Sequence, residues 1–141
     1  MIEIFNNLNI DKSQYFLTGS RALSIDEFVC HTSESDYDYV TLITNRHHII
    51  NYLNNSNIAI YPSNYNGGFK FNYDGKLINV ITPINVEFMA WREALSILQL
   101  LFKTDDVYKK VIKNKFSRYC AYEQLRGLIK SIINFANIEG K

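Results

Sequence analysis

The segment GFKFNYDGKLINVIT, residues 68–82, constrains the fold more than any other part of the chain. Apolar and polar residues alternate on both sides of Asp74-Gly75, and such a pair between two alternating runs is a strong signal for a β-hairpin. Because proline cannot donate to a strand ladder, Pro83 is expected to end the sheet. The chain therefore has to contain a sheet with an antiparallel pair of strands.

The other segments alternate between strand and helix patterns along the first half of the chain. Strands are predicted for YFLTGS, DYDYVTLI and IAIYP, and helices for RALSIDEFV and for RHHIINYLNN with Asn45 as its cap. The leading segment IEIFNNL is predicted to be a short helix or a lead-in strand. This order predicts an α/β (α+β) fold with a mixed sheet of about four to five strands and flanking helices.

The second half of the chain carries helical patterns only. NVEFMAWREALSILQLLF predicts one long amphipathic helix, and two further helices are expected at about 105–114 and 118–137. With 141 residues, 47% of them hydrophobic, the chain is predicted to form a single domain, 1–141. It shows neither a bilayer-spanning apolar stretch nor a signal-peptide pattern, so we predict a soluble, cytoplasmic protein with no membrane partner.

The net charge of +1 conceals an uneven distribution. Residues 1–102 contain six Lys/Arg and ten Asp/Glu, whereas residues 103–141 contain nine Lys/Arg and four Asp/Glu. The excess gathers in YKKVIKNKFSRY, so the part from 103 to 141 is predicted to be a basic helical region. Such a run fits a solvated helix face, and alternatively a contact for phosphate or nucleic acid.

Asp36 and Asp38 open the predicted strand DYDYVTLI. Residues two apart on a strand point to the same face, about 6.6–7 Å apart along the backbone. Two carboxylates placed in this way repel each other, and their oxygens suit Mg²⁺ or Mn²⁺, which commonly bind substrate phosphates as well. The pair therefore predicts a metal site, with two solvated residues at a strand entrance as the alternative.

Gly19, Ser20 and Arg21 follow the first predicted strand. Glycine lets the backbone approach a ligand closely, and a helix beginning at Arg21 would direct free N–H groups towards that ligand. Ser20 adds a hydroxyl group and Arg21 a cation, so the turn predicts a phosphate site, although Gly-Ser is also common in ordinary turns. If the first two strands are neighbours, the turn and the two aspartates together describe a site for a metal and a nucleoside triphosphate.

TGSRAL followed by SDYDYVTLI resembles the signature of the nucleotidyltransferase superfamily, which has the DNA polymerase beta-like fold. The chain is most similar in pattern to the minimal nucleotidyltransferases. It is also similar to short nucleotidyltransferases encoded by phages, in which a WREA-like helix follows the last strand. The resemblance implies that Gly19 and Ser20 hold the triphosphate of an NTP, that Asp36 and Asp38 hold Mg²⁺ or Mn²⁺, and that Arg21 lies where it meets phosphate.

The resemblance covers residues 15–102, and the chain departs from the family pattern within it. Leu23 and Ser24 stand where a second glycine is often found, and the long spacer predicts an exposed loop around Thr32–Ser35.

A third departure concerns the carboxylate that active members carry on a later strand, because Asn79 stands at that position here. An amide cannot act as a general base and binds cations only weakly. Three alternatives remain. In the first, Asn79 only positions the nucleophile, and in the second, a carboxylate from Glu87 or Asp74 replaces the missing one. In the third alternative the fold has lost catalysis and only binds a ligand or partner.

These residues predict a metal-dependent nucleotidyltransferase. It would move a nucleoside monophosphate from an NTP to an unknown acceptor, whether RNA, protein or small molecule. The alternative is a catalytically degenerate protein of the same fold that binds a nucleotide or a protein partner, for example an antitoxin or a phage counter-defence factor. A third hypothesis is RNA binding by the segment Lys109–Arg118, which would weaken steeply with salt and would not depend on the aspartates.

Overall fold

A computed structural model of the chain describes residues 3–24, 31–63 and 67–106, together with positions 110, 127, 130, 131 and 134. The chain divides into two compact units. The first comprises Met1–Leu17 and Asp36–Phe88, and the second comprises Thr18–Ser35 and Met89–Lys141. The expectation of a single domain stays a prediction.

Helices and strands alternate along the described residues, as the sequence predicts. In chain order they are α1 (Glu3–Asn7), β1 (Tyr15–Thr18), α2 (Gly19–Leu23), β2 (Tyr37–Thr41), α3 (Arg46–Asn55), β3 (Ile60–Pro62), β4 (Phe69–Tyr73), β5 (Lys76–Ile81) and α4 (Asn85–Thr104). The leading segment is a helix and not a strand. The predicted fold class is confirmed, because these elements form a mixed five-stranded sheet with flanking helices.

The strands lie in the order β1-β2-β5-β4-β3. The pairings differ in direction: β2 pairs with β5 in parallel, whereas β4 pairs with β5, and β3 with β4, in antiparallel fashion. A parallel pair needs a crossover connection, and here α3, β3 and β4 lie between β2 and β5 in the chain. The crossover brings residues that are far apart in sequence into one row of the sheet.

One face of the sheet supports the hydrophobic core of the first unit. Because side chains alternate between the two faces of a strand, the register puts Tyr37, Ile78 and Phe71 in one row on this face. The core combines strand residues with residues of α1 and α3. Its buried members are Ile4, Phe5, Ile10, Tyr15, Tyr39, Ile49, Leu53, Phe69, Phe71, Ile78 and Val80. The intervening strand positions therefore point to the opposite face.

The hairpin between β4 and β5 turns at Asp74 and Gly75, which confirms the sequence prediction. Their φ angles are +53° and +73°, and two successive positive φ values define a type I′ turn. A Cβ added at Gly75 would meet open space, so the left-handed backbone alone makes glycine favourable there.

Gly75→Ala is expected to lower the free energy of unfolding by about 1–2 kcal/mol, because an L side chain is strained in this region. Chemical denaturation monitored by circular dichroism measures the change. Gly75→Asn is the matched control, since asparagine tolerates positive φ and should cost less. Equal losses in the two variants would contradict the backbone explanation.

In the second unit, a hydrogen bond joins α4 to α2. The Nε2 group of Gln99 donates a hydrogen bond to the carbonyl oxygen of Ala22 at 3.1 Å. Leu23, Leu98 and Phe102 are almost fully buried. Within the part of the chain that is described, no helix has both the length and the apolar character needed to cross a membrane.

Two predicted boundaries are wrong. The helix expected to begin at Arg21 begins at Gly19 and ends at Leu23, and positions 25–29 of the predicted segment lie outside the described residues. The strand expected to begin at Asp36 begins at Tyr37, so only one of the two aspartates is within β2. The amide of Asn45, at the N-cap of α3, donates to Thr41 and does not accept from the helix.

Several other expectations fall on positions that are not described. The helices expected at 105–114 and 118–137 and the basic segment Lys109–Arg118 lie largely outside the described residues.

Candidate functional site

Three polar side chains form a row across the sheet face opposite the core. In the strand register, Asp38 of β2 is the partner of Asn79 on β5, and Asn79 is in turn the partner of Lys70 on β4. Neighbouring strands lie about 4.8 Å apart, so residues in one row of one face are in reach of each other. The sheet therefore brings together an acid, an amide and a base that are distant in sequence.

A hydrogen bond to Asp38 sets the orientation of the Asn79 amide. Its Nδ2 group donates a hydrogen bond to Oδ1 of Asp38 at 3.1 Å. A carboxylate only accepts hydrogen bonds, so the nitrogen of the amide has to face Asp38 and the oxygen has to face away. The predicted site residues Asp38 and Asn79 are thus in direct contact.

The other end of the Asn79 amide has no such partner. Asn79 is 2% exposed, and within the described residues its Oδ1 atom accepts no hydrogen bond. A buried acceptor without a partner costs about 1–3 kcal/mol. This oxygen is directed away from Asp38, because the nitrogen of the same amide donates to that carboxylate.

Asp36 lies directly before β2 and forms an ion pair with Lys70. The Nζ atom of Lys70 is 3.2 Å from Oδ2 of Asp36, and the two side chains are 26% and 27% exposed. The structure therefore joins Asp36 to the row of Asp38 and Asn79 through Lys70, a residue that sequence reasoning missed. The signal for Lys70 was present, because counting outward from the Asp74-Gly75 turn pairs it with Asn79.

A third carboxylate is not part of this group. Asp74 lies in the hairpin turn and Glu87 in the first turn of α4. Among the described residues there is no group of three or more His, Cys, Asp or Glu side chains suited to a metal ion. The alternative in which Asp74 or Glu87 supplies the missing carboxylate stays a prediction.

The donor set nevertheless fits a divalent cation of the hard, oxygen-binding type. Asp36 and Asp38 provide carboxylate oxygens, whereas the buried oxygen of Asn79 is directed away from Asp38. Mg²⁺ and Mn²⁺ take such ligands and usually keep further positions for water or phosphate. With the Lys70 ammonium included, the four side chains carry a single net negative charge.

The predicted phosphate turn lies in the second unit. Gly19 has a φ of +70° at the start of α2, and the carbonyl oxygen of Ser20 accepts hydrogen bonds from the backbone and hydroxyl of Ser24. Thr18, which precedes the turn, is 2% exposed, and its Oγ1 atom has no hydrogen-bond partner among the residues described. A helix of five residues has only a weak dipole, so the turn lacks the helix support expected from the sequence.

Arg21 contacts backbone oxygens in this structure. Its guanidinium group donates to the carbonyl oxygen of Ser35 at 3.0 and 3.1 Å and to that of Thr32 at 3.3 Å. The side chain therefore holds the turn formed by residues 32–35, a role that the sequence did not indicate. Triphosphate binding by Gly19, Ser20 and Arg21 stays a prediction.

Comparison with known proteins gives no family for the chain. No family model, curated protein or solved structure matches the chain significantly.

Proposed function

We propose that the chain is a metal-dependent nucleotidyltransferase that moves a nucleoside monophosphate from an NTP to an acceptor hydroxyl or phosphate. The observation that carries this proposal is the row of Asp38, Asn79 and Lys70, in which Nδ2 of Asn79 donates a hydrogen bond to Oδ1 of Asp38 at 3.1 Å. Asp36 adds a second carboxylate to the same group through its ion pair with Lys70. Two carboxylates and one ammonium of this kind are suited to a metal and a phosphate chain.

Asp36 and Asp38 would hold the metal, and the Asn79 amide would keep the Asp38 carboxylate in its orientation. When bound, the divalent cation supplies charge neutralisation for the triphosphate. The acceptor oxygen forms a bond to the α-phosphorus, the bond to the bridging oxygen breaks, and pyrophosphate leaves. Asn79 takes no proton, so the acceptor's proton goes to solvent or to the substrate phosphates.

The acceptor is RNA, a protein or a small molecule, and the site does not select among them. The proposal places the protein in the cytoplasm, where nucleoside triphosphates and Mg²⁺ are supplied together.

Calorimetric titration of the four NTPs with Mg²⁺ or Mn²⁺ tests the proposal without knowledge of the acceptor. Wild-type protein is expected to bind at least one NTP only when metal is present. The double variant Asp36→Asn/Asp38→Asn is expected to lose this binding while keeping its circular dichroism spectrum. Metal-independent binding, or binding that survives in the double variant, would contradict the proposed site.

Asn79→Asp restores the carboxylate that active members of the resembled family carry. A buried acid beside Asp38 should destabilise the metal-free protein through charge repulsion and raise its affinity for Mn²⁺ by about tenfold. Thermal unfolding with and without Mn²⁺ measures both effects, and an NTP turnover assay measures any gain in rate. Asn72→Asp is the matched control, because it adds the same charge at an exposed position of β4.

A second candidate function is favoured by Asn79 and Lys70 themselves. An amide in place of the third carboxylate, and a lysine paired with Asp36, also suit a catalytically degenerate protein that binds a nucleotide or a protein partner. An antitoxin or a phage counter-defence factor would be of this kind. Metal-dependent NTP binding without pyrophosphate release, with every acceptor class supplied, would favour this candidate over the transferase.

A further inference from the structure

The charge balance of the site depends on Lys70. Asp36 and Asp38 carry two negative charges, Asn79 is neutral, and the Lys70 ammonium lies 3.2 Å from a carboxylate oxygen of Asp36. The Lys70 ammonium offsets part of the repulsion between the two aspartates through its ion pair with Asp36. The lysine therefore already supplies one of the cations that a pair of carboxylates requires.

The Lys70 side chain can exchange Asp36 for another partner. Its side chain and that of Asp36 are each about a quarter exposed, and partly exposed ion pairs are weak because water and salt screen them. Lysine carries its charge on a flexible four-carbon stem and binds phosphate as a point charge. Asn79, by contrast, is buried and held by its hydrogen bond to Asp38.

We infer that Lys70 is a built-in counter-ion that competes with the metal for Asp36. The inference rests on the proposed function and deepens it. The site takes one divalent cation per chain. When the cation binds together with a nucleoside triphosphate, the Lys70 ammonium leaves Asp36 and contacts the triphosphate. Lys70 then supplies the second positive charge beside the triphosphate. In a two-metal site a second cation would supply that charge, and it would need the third carboxylate that Asn79 replaces.

Two titrations test the inference, one with Mn²⁺ alone and one with Mn²⁺ and a non-hydrolysable ATP analogue. Lys70→Met is expected to change the two affinities in opposite directions. Removing the competing ammonium in Lys70→Met is expected to tighten binding of Mn²⁺ alone by about tenfold. Removing its contact with phosphate is expected to weaken binding of the Mn²⁺–analogue complex by about tenfold. Lys70→Arg keeps the charge and should stay near the wild type in both titrations.

Lys76→Met is the matched control for charge. Lys76 lies on the same hairpin but on the core side of the sheet, where its ammonium is 5.4 Å from the centroid of the Tyr37 ring. It should change neither titration. Lys70→Gln repeats the test if Lys70→Met unfolds, and electron paramagnetic resonance of bound Mn²⁺ counts the ions.

One Mn²⁺ per chain and opposite shifts in Lys70→Met would support the inference. Two Mn²⁺ ions per chain, or shifts of the same sign in both titrations, would overturn it while leaving the proposed function intact. No difference between Lys70→Met and wild type would also overturn it. Binding of Mn²⁺ that is the same in wild type and Asp36→Asn/Asp38→Asn would overturn the proposed function, and this inference with it.

Discussion

Asp38→Asn is expected to weaken metal-dependent nucleotide binding by roughly 100-fold or more, since a unit charge about 4 Å from a cation contributes several kcal/mol near a protein surface. Asp38 is the carboxylate whose orientation is fixed by Asn79, at an N–O distance of 3.1 Å. The substitution removes the charge and preserves the shape of the side chain. Isothermal titration of the NTP in the presence of Mn²⁺ measures the loss.

The fold of this variant is expected to remain intact. The side-chain oxygen of an asparagine at position 38 can still accept the hydrogen bond from Asn79, so the change in unfolding free energy should stay within about 1 kcal/mol. Asp74→Asn makes the same chemical change in the exposed hairpin turn and should leave nucleotide binding unaltered. If Asp38→Asn unfolds the protein, the aspartate is structural and the proposed site is wrong.

Phe71→Ala is expected to lower the free energy of unfolding by about 3–5 kcal/mol, a large fraction of the stability of an ordinary domain. Phe71 is 0% exposed in the core of the first unit. Its ring stacks on Phe69 at a centroid distance of 6.0 Å and meets Tyr73 edge-on at 6.5 Å. Truncation leaves a cavity between these rings that the sheet cannot close.

Urea denaturation followed by circular dichroism measures this loss. Asn72→Ala changes the next residue of the same strand, which is exposed, and should alter stability by no more than about 0.5 kcal/mol. Phe71→Leu should recover a substantial part of the loss because it refills most of the volume. A loss near 1 kcal/mol in Phe71→Ala would mean that the core relaxes around the missing ring.

The parts of the fold that sequence predicted are those set by local chemistry. Asp74-Gly75 specifies a turn with two positive φ values, and alternation on either side assigns each residue of the hairpin to a face. The helix α4 follows from a sustained apolar stripe over Asn85–Thr104. In these segments neighbouring residues carry the whole signal.

The parts that sequence missed depend on contacts between distant segments. Lys70 meets Asp36 only because β4, β5 and β2 are neighbours in the sheet, an order that no local pattern reveals. The Asn45 side chain donates to Oε1 of Gln14, 31 residues earlier in the chain, at 3.3 Å, although its position suggested a helix cap. The guanidinium of Arg21 is likewise used by backbone oxygens of a turn more than ten residues away.

The parallel pairing of β2 with β5 also affects the order in which the site forms during folding. Lys70 and Asn79 belong to a hairpin closed by a two-residue turn, whereas Asp38 is separated from Asn79 by 41 residues. Closing a long loop costs more chain entropy than closing a tight turn, so we expect the hairpin to form early and Asp38 to arrive late in folding. A ligand held by Asp38 and Asn79 would then recognise only the completed sheet, and its binding would report the fraction of molecules that are fully folded.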